Sequence, residues 1–253
     1  MQIVSIINQK GGVAKTTTAL NLAYGLYIRQ KAKVLLIDTD SQTNLTFTMG
    51  ATNSKYSLLD LLTNKDIDIK DSIQNINGID FIRADKQLSN IDIYLKDTGK
   101  EYKLKEKIAP IKKNYDYIII DTPPALNLIT INSLVASSQA LITSQADYYS
   151  LQGIRDIYDN MQSIKKYCNK DLKLNGILLT RYNERTNLTK QLTDLMEELA
   201  KELKTKVYKA KIRESIIVKE SQAVRQNIFE YSKNSNVAMD YMDFIKEYIK
   251  GEK

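Results

Sequence analysis

The chain has 253 residues, 43% of them hydrophobic and 26% charged, enough for one sizeable α/β domain with a full core. It holds one cysteine and no histidine, which excludes an internal disulfide framework, Cys/His metal clusters and any step that uses imidazole. Lysine and arginine exceed aspartate and glutamate, 37 against 30, a balance that permits attraction to a polyanion without establishing it.

No basic-then-apolar leader precedes the first apolar run, and no apolar run approaches bilayer length, so a cytoplasmic protein is expected. In chain order, Ile3–Ile7 reads as a buried strand and Ala19–Leu26 has helical apolar spacing. Short apolar runs at Val34–Ile37, Ile79–Ile82, Tyr117–Ile120, Ala140–Ile142 and Ile177–Leu179 read as further strands. Amphipathic stretches at 100–113, 148–167 and 188–203 read as helices between them, and 234–250 as a closing helix. The alternation predicts an α/β fold over 1–253: a single domain, its twisted sheet mostly parallel, with helices on both faces. Cys168, near the end of a helical stretch, reads as an inert structural thiol.

Between the first strand and first helix lies INQKGGVAKTTTA. A strand, a glycine turn, Lys-Thr and a helix together make a phosphate cradle: backbone N–H groups and the helix N-terminus face an anion, Lys15 reaches the outer phosphates, and the Thr16 hydroxyl can ligate Mg²⁺. The alternative is an ordinary glycine turn. The Walker A pattern asks for glycine at position 14, where this chain has Ala14; at positive φ an alanine there costs about 1 kcal/mol relative to glycine. Two other strand ends carry carboxylates: Asp38 and Asp40 in IDTDSQTN, and Asp121 in IIIDTPPA. A parallel sheet brings such ends close to the first βα turn. Each aspartate alone reads equally as a turn cap; following a P-loop, Asp121 takes the Walker B position, accepting from Mg²⁺-bound water.

The second lysine, Lys10, makes the pattern K-G-G-x-x-K-[ST], which resembles the deviant Walker A motif of the ParA/MinD family of ATPases. IDTDSQTN is similar to that family's D-x-D-P-Q-x-N, with Ser41 in place of proline, and IIIDTPPALNLITINSL to its D-x-P-P-x-x-x-x-x-T-x-N-A-L. LITSQADYYSLQGI, LLTRYNERTNL and KIRESIIVKES resemble later family segments, with Asp147 for glutamate, Asn183 for aspartate, and Arg213, Ser215 and Ile217 at positions of proline, asparagine and arginine. The resemblance runs almost end to end. It implies a P-loop NTPase fold and an ATP-dependent sandwich dimer in which Lys10 reaches the partner's nucleotide. Lys10, Gly11, Gly12, Val13, Ala14, Lys15, Thr16 and Thr17 would bind ATP, with Arg181, Ile212, Arg213 and Ser215 from the later segments. Thr16, Asp38 and Asp121 would serve Mg²⁺, and Lys10, Lys15 and Asp40 hydrolysis, Asp40 orienting the attacking water.

The resemblance further implies nonspecific binding to double-stranded DNA by the ATP dimer, with Arg185 as first candidate and Lys211, Lys219 and Arg225 beside it. A ParB-type centromere-binding partner would stimulate hydrolysis, giving a nucleoid-associated DNA-partitioning ATPase. No helix-turn-helix segment precedes the P-loop strand, so operator reading is not expected. The alternative is a MinD-like membrane-cycling ATPase that positions a division site or a protein assembly. It needs a basic amphipathic C-terminal helix, whereas Asp240, Asp243 and Glu247 punctuate 239–250, so no membrane partner is expected. Iron–sulfur relatives need several cysteines and are excluded; a small-molecule ligase and an inactive scaffold stay open, the latter disfavoured by Lys10, Lys15 and Asp40.

Overall fold

The structure, a computed structural model, describes residues 1–51 and 54–251. Among these residues seven strands form one sheet: β1 Gln2–Ile7, β2 Val34–Asp38, β3 Gln74–Ile76, β4 Ile79–Ile82, β5 Tyr117–Asp121, β6 Gln139–Ser144 and β7 Lys173–Leu179. Their spatial order is β3-β4-β2-β5-β1-β6-β7, and every neighbouring pair is parallel except β3 with β4. The helices are α1 Lys15–Gln30, α2 Asn44–Met49, α3 Leu58–Thr63, α4 Ile91–Tyr94, α5 Lys103–Ile108, α6 Leu128–Ala136, α7 Tyr148–Tyr167, α8 Asn187–Glu202, α9 Ile216–Ala223, α10 Ile228–Tyr231 and α11 Asn236–Lys250.

The inner strands are apolar on both sides because both faces are covered. In β5, Tyr117 and Ile119 join the core under α1 and α11, whereas Ile118 and Ile120 join the one under α3 to α6. Val34 and Leu36 of β2 divide from Leu35 and Ile37 in the same way, as the two-residue period of a strand requires. A third cluster under α7 and α8 includes Ile154, Met161 and Met196. The closing helix α11 packs on α1 so tightly that a Cβ on Gly25 would overlap Ile245 Cδ1. Its apolar face (Val237, Tyr241, Phe244, Ile245 and Tyr248) is buried, and Phe244 stands edge-on to Tyr208 at 4.9 Å between ring centres.

The helix expected over 100–113 is broken. Lys100–Tyr102 and Lys112–Asn114 are 3₁₀ turns flanking α5, and Pro110, which cannot donate to the helical ladder, ends the regular segment. The strand β3 is absent from the apolar runs because its three residues, Gln-Asn-Ile, form a short, partly exposed edge. Its signal is the following Asn77-Gly78 turn, where both residues have positive φ (49° and 87°).

At the centre of the sheet β1 lies between β5 and β6. A crevice opens beyond the carboxyl ends of the strands at such a point. Register aligns Ile6 with Asp121, and Asp121 with Asp38, so two carboxylates end adjacent strands beside the β1–α1 turn.

Candidate functional site

The turn after β1 is shaped by its own backbone. Asn8 Oδ1 accepts from the Lys10 amide at 2.8 Å, while its Nδ2 donates to the Thr143 carbonyl at 2.7 Å, tying the loop to β6. Gly12 has φ +75° and Ala14 φ +59°. Thr180, at the end of β7, donates to the Val13 carbonyl at 3.1 Å. α1 then begins with no side-chain cap and no acidic residue in its first turn. A helix N-terminus left in this form presents backbone N–H groups and positive potential to an anion.

Ala14 is therefore the costly case. The left-handed conformation strains an alanine by about 1–2 kcal/mol, against about 0.4–1 kcal/mol of extra chain entropy that glycine must lose on folding. Ala14→Gly is expected to stabilise the protein by about 0.5–1 kcal/mol, a rise of about 1–4 °C in Tm by calorimetry for a chain of this size. A fall in Tm would show that the alanine methyl makes a compensating contact.

Lys15 is only 7% exposed, and its Nζ lies 3.1 Å from the Lys10 carbonyl. Burial lowers its pKa, with Asp121 and then Asp40 acting against the shift. Asp121 is fully buried, and neither oxygen has a hydrogen-bond partner of ordinary geometry among the described residues. Burial, reinforced by Asp38, drives its carboxyl well above the usual range; the Thr16 hydroxyl and Lys15 oppose the rise. Asp38 behaves differently. Its Oδ1 accepts from the Asp40 amide at 3.0 Å, and its Oδ2 accepts from the Thr46 amide at 2.8 Å and the Thr46 hydroxyl at 2.7 Å. Burial pushes it up to about 6 despite those donors. Both oxygens serve protein donors, so Asp38 braces the β2–α2 loop. Asp40, presented by that loop, is buried and accepts from the Gln42 amide at 2.9 Å.

Three buried carboxylates and one buried ammonium leave the site short of positive charge, and among the described residues no donor of ordinary geometry reaches the two buried Asp121 oxygens. A hydrated divalent cation supplies both needs, so the residues fit Mg²⁺, with Thr16 and Asp121 nearest to it in chemistry. Among the described residues no group of three or more His, Cys, Asp or Glu side chains could hold a metal ion alone. Such a cation must therefore draw further oxygens from phosphate and water, as Mg²⁺ usually does.

The cradle opens into a cleft of about 710 Å³ lined by Gly11, Gly12, Ala14, Lys15, Thr16, Thr17, Asp40, Arg181, Ile212, Arg213, Ser215 and Lys219 among others. It thus gathers nearly all the expected nucleotide contacts. Val13 lies buried beneath the loop, and Lys10 is outside the lining. The Lys10 ammonium pairs instead with Asp147 at 2.7 Å, a partly exposed pair outside the cleft lining. Against the effect of burial, Lys10 and Ser150 hold the Asp147 carboxyl below its ordinary value. Arg213 makes a two-pronged ion pair with Asp240 of α11 (2.7 and 2.8 Å), and Ser215 caps α9.

The four basic residues expected at DNA have different surroundings. Arg185 is exposed before α8, and its guanidinium makes no hydrogen bond or ion pair among the described residues. Lys211 lies over the Tyr182 ring, 4.6 Å from its centre. Lys219 lines the cleft, and Arg225 sits 4.6 Å over the Phe47 ring of α2. Sequence reasoning missed Phe47, Glu214 and Gln222, which also line the cleft; Gln222 Nε2 donates to the Thr17 hydroxyl at 3.1 Å. Phe47 and Gln222 lie in segments with no local signal, whereas Glu214 stands between Arg213 and Ser215 in a segment already singled out and only its own role went unread.

Residues 1–174 match the model of a family described as an AAA domain. The chain is 39% identical over 252 residues to the sporulation initiation inhibitor protein Soj of Bacillus subtilis (strain 168), covering 97% of each chain. It is 30% identical over 259 residues to the chromosome partitioning protein ParA of Caulobacter vibrioides (strain NA1000 / CB15N), covering 100% of this chain and 96% of that one. Among solved structures, cobyrinic acid a,c-diamide synthase from Mycobacterium smegmatis with bound ATP analogue and magnesium superposes with a TM-score of 0.87 at 26% identity, covering 100% of this chain and 96% of that one. With a two-lysine P-loop, carboxylates at the neighbouring strand ends and relatives similar from end to end, the chain belongs to the ParA/MinD family of P-loop ATPases, on its ParA/Soj side.

Proposed function

We propose that the protein is a Mg²⁺-dependent ATPase of DNA partitioning, dimerising around two ATP molecules, binding duplex DNA nonspecifically in that state, and released when a ParB-type partner stimulates hydrolysis. The observation that carries this reading is the division between the two lysines. Lys15 is buried in its own cleft, whereas the Lys10 ammonium lies outside the cleft lining and among the described residues is held only by an exposed ion pair with Asp147. A lysine so placed is free to exchange Asp147 for phosphate on a second copy. The relatives named Soj and ParA, and the ATP analogue and magnesium in the structural relative, support the same reading.

In this proposal Lys15 and the N–H groups from Gly12 to Thr17 bind the phosphates, and Mg²⁺, when bound by Thr16 and through water by Asp121, neutralises charge on them. Asp40 orients water at the open end of the cleft, and Asp38 keeps the Asp40 loop in register through Thr46. Ile212, Arg213 and Ser215 line the end where the nucleoside would lie. Arg185, with Lys211, Lys219 and Arg225, would meet DNA phosphates, placing the protein on the nucleoid. The exchange of states requires DNA to prefer the ATP dimer, since a ligand indifferent to two states shifts neither. The membrane-cycling alternative needs an uncovered apolar helix face. α11 instead buries its apolar face in the core, and among the described residues no helix is long and apolar enough to cross a membrane.

A gel shift on nonspecific duplex with ATP, ADP or no nucleotide, at two salt concentrations, tests the proposal. Retention is expected only with ATP and falls steeply with salt, because phosphate contacts release counterions. Arg185→Ala should weaken retention about fivefold or more, with the dimer unchanged by sedimentation. Retention independent of nucleotide would overturn the switch, and unaltered shifts by the variant would remove Arg185 from the interface.

A further inference from the structure

Arg181 and Glu214 face one another at the cleft mouth, and neither is explained by the phosphate cradle itself. Arg181 follows β7 in a left-handed backbone conformation, φ 49°. Three hydrogen bonds of its two flanking residues hold that conformation: Thr180 donates to the Val13 and Ser144 carbonyls, and the Tyr182 amide to the Ile212 carbonyl at 2.9 Å. It carries the guanidinium over the P-loop, where Nη1 is 4.0 Å from the Cβ that a side chain at Gly12 would have. Glu214 takes the other edge of the guanidinium. Its Oε1 accepts from Nη2 at 2.6 Å and from Nε at 3.2 Å. The Glu214 backbone is fixed on both sides, by the Arg213–Asp240 pair before it and by the Ser215 cap of α9 after it.

A carboxylate at the mouth of a polyphosphate site opposes anion binding, and here it also occupies a cation that stands over the phosphate loop. We infer that Glu214 sets nucleotide affinity by holding Arg181: a nucleotide's phosphates must compete with Glu214 for the guanidinium before Arg181 can close over them. The inference rests on the proposed nucleotide site and adds Glu214 as a positioning residue that acts through Arg181. The pair is half exposed, with side-chain accessibilities of 47% and 59%, so its strength is that of a surface ion pair and the competition is winnable. Releasing the guanidinium should therefore tighten nucleotide binding about two- to fivefold.

Calorimetric titration of the full chain with ADP, and with a nonhydrolysable ATP analogue plus Mg²⁺, tests this in four variants. Glu214→Gln should tighten binding by that factor. Glu214→Asp keeps the charge but shortens the reach to Arg181, and should tighten it as well. Arg181→Gln should weaken binding, and Arg181→Gln with Glu214→Gln should bind no tighter than Arg181→Gln alone. A merely structural role for Glu214 would weaken binding when it is lost. Tightening by Glu214→Gln but not by Glu214→Asp would reduce the effect to plain repulsion and overturn the inference, as would tightening that persists without Arg181. If the unaltered protein binds neither nucleotide, the nucleotide site itself falls; if it binds both and the Glu214 variants do not tighten, only the inference falls.

Discussion

Lys15→Ala is expected to abolish nucleotide binding. The ammonium is buried beside the N-terminus of α1, where burial already disfavours its charge and where, among the described residues, its hydrogen-bond acceptor is the Lys10 carbonyl. A polyphosphate would supply further acceptors, through charge-assisted bonds in a partly desolvated setting. Each such bond contributes about 1.5–3 kcal/mol, so losing the ammonium should weaken binding about 100-fold or more. Two measurements check this. Calorimetry should show no heat of binding for the variant. Thermal melting should show a ligand-induced rise of about 5–10 °C for the unaltered protein at 100 times Kd, and about 1–2 °C at most for the variant. Undiminished binding with an intact fold would overturn the P-loop assignment.

The second large effect is at Asp40. Its carboxylate belongs to a loop that Asp38 and Thr46 hold in place, and it lines the same cleft as Lys15. Removing a group that orients or deprotonates water costs about 10²–10⁴ in rate, with binding of the triphosphate retained. Asp40→Ala should therefore hydrolyse at least about 100-fold more slowly and persist as an ATP dimer on duplex DNA. It also loses the bond from the Gln42 amide, at a cost of about 1 kcal/mol, so its melting temperature should fall by a few degrees at most. Asp40→Asn, which can keep that bond, separates the two effects: it should melt like the parent and still fail to turn over. Normal turnover in either variant would remove Asp40 from hydrolysis.

Much of this site is readable before folding is considered, for a physical reason. The glycines, Lys15 and Thr16 lie within one strand–turn–helix unit, and the unit's chemistry is local: backbone N–H groups, a helix terminus, a lysine and a hydroxyl. Asp38 and Asp121 are readable because each ends an apolar strand, and parallel strands bring their ends together. The inner strands announce themselves as apolar runs because both sheet faces are covered, whereas β3 carries no such run and only Asn77-Gly78 marks it. The stretch 100–113 misled because amphipathic spacing continues through Pro110, where the helix cannot.

Other features depend on encounters between distant segments. That Asp38 braces a loop while Asp121 is left with bare oxygens follows from where Thr46 falls, on a helix of six residues with no periodic signature. That Lys10 turns outward to Asp147, that Lys211 lies on Tyr182 and that Arg181 is held by Glu214 are pairings across 137, 29 and 33 positions of chain. Sequence alone thus determined the α/β architecture and the phosphate loop, because these rest on hydrophobic period and short-range backbone geometry, and it pointed to the family through the resemblance of its motifs. Only the tertiary structure decided which charged side chains are engaged and which are open, because a charge's partner is set by the packing that brings remote strand ends and helix termini together.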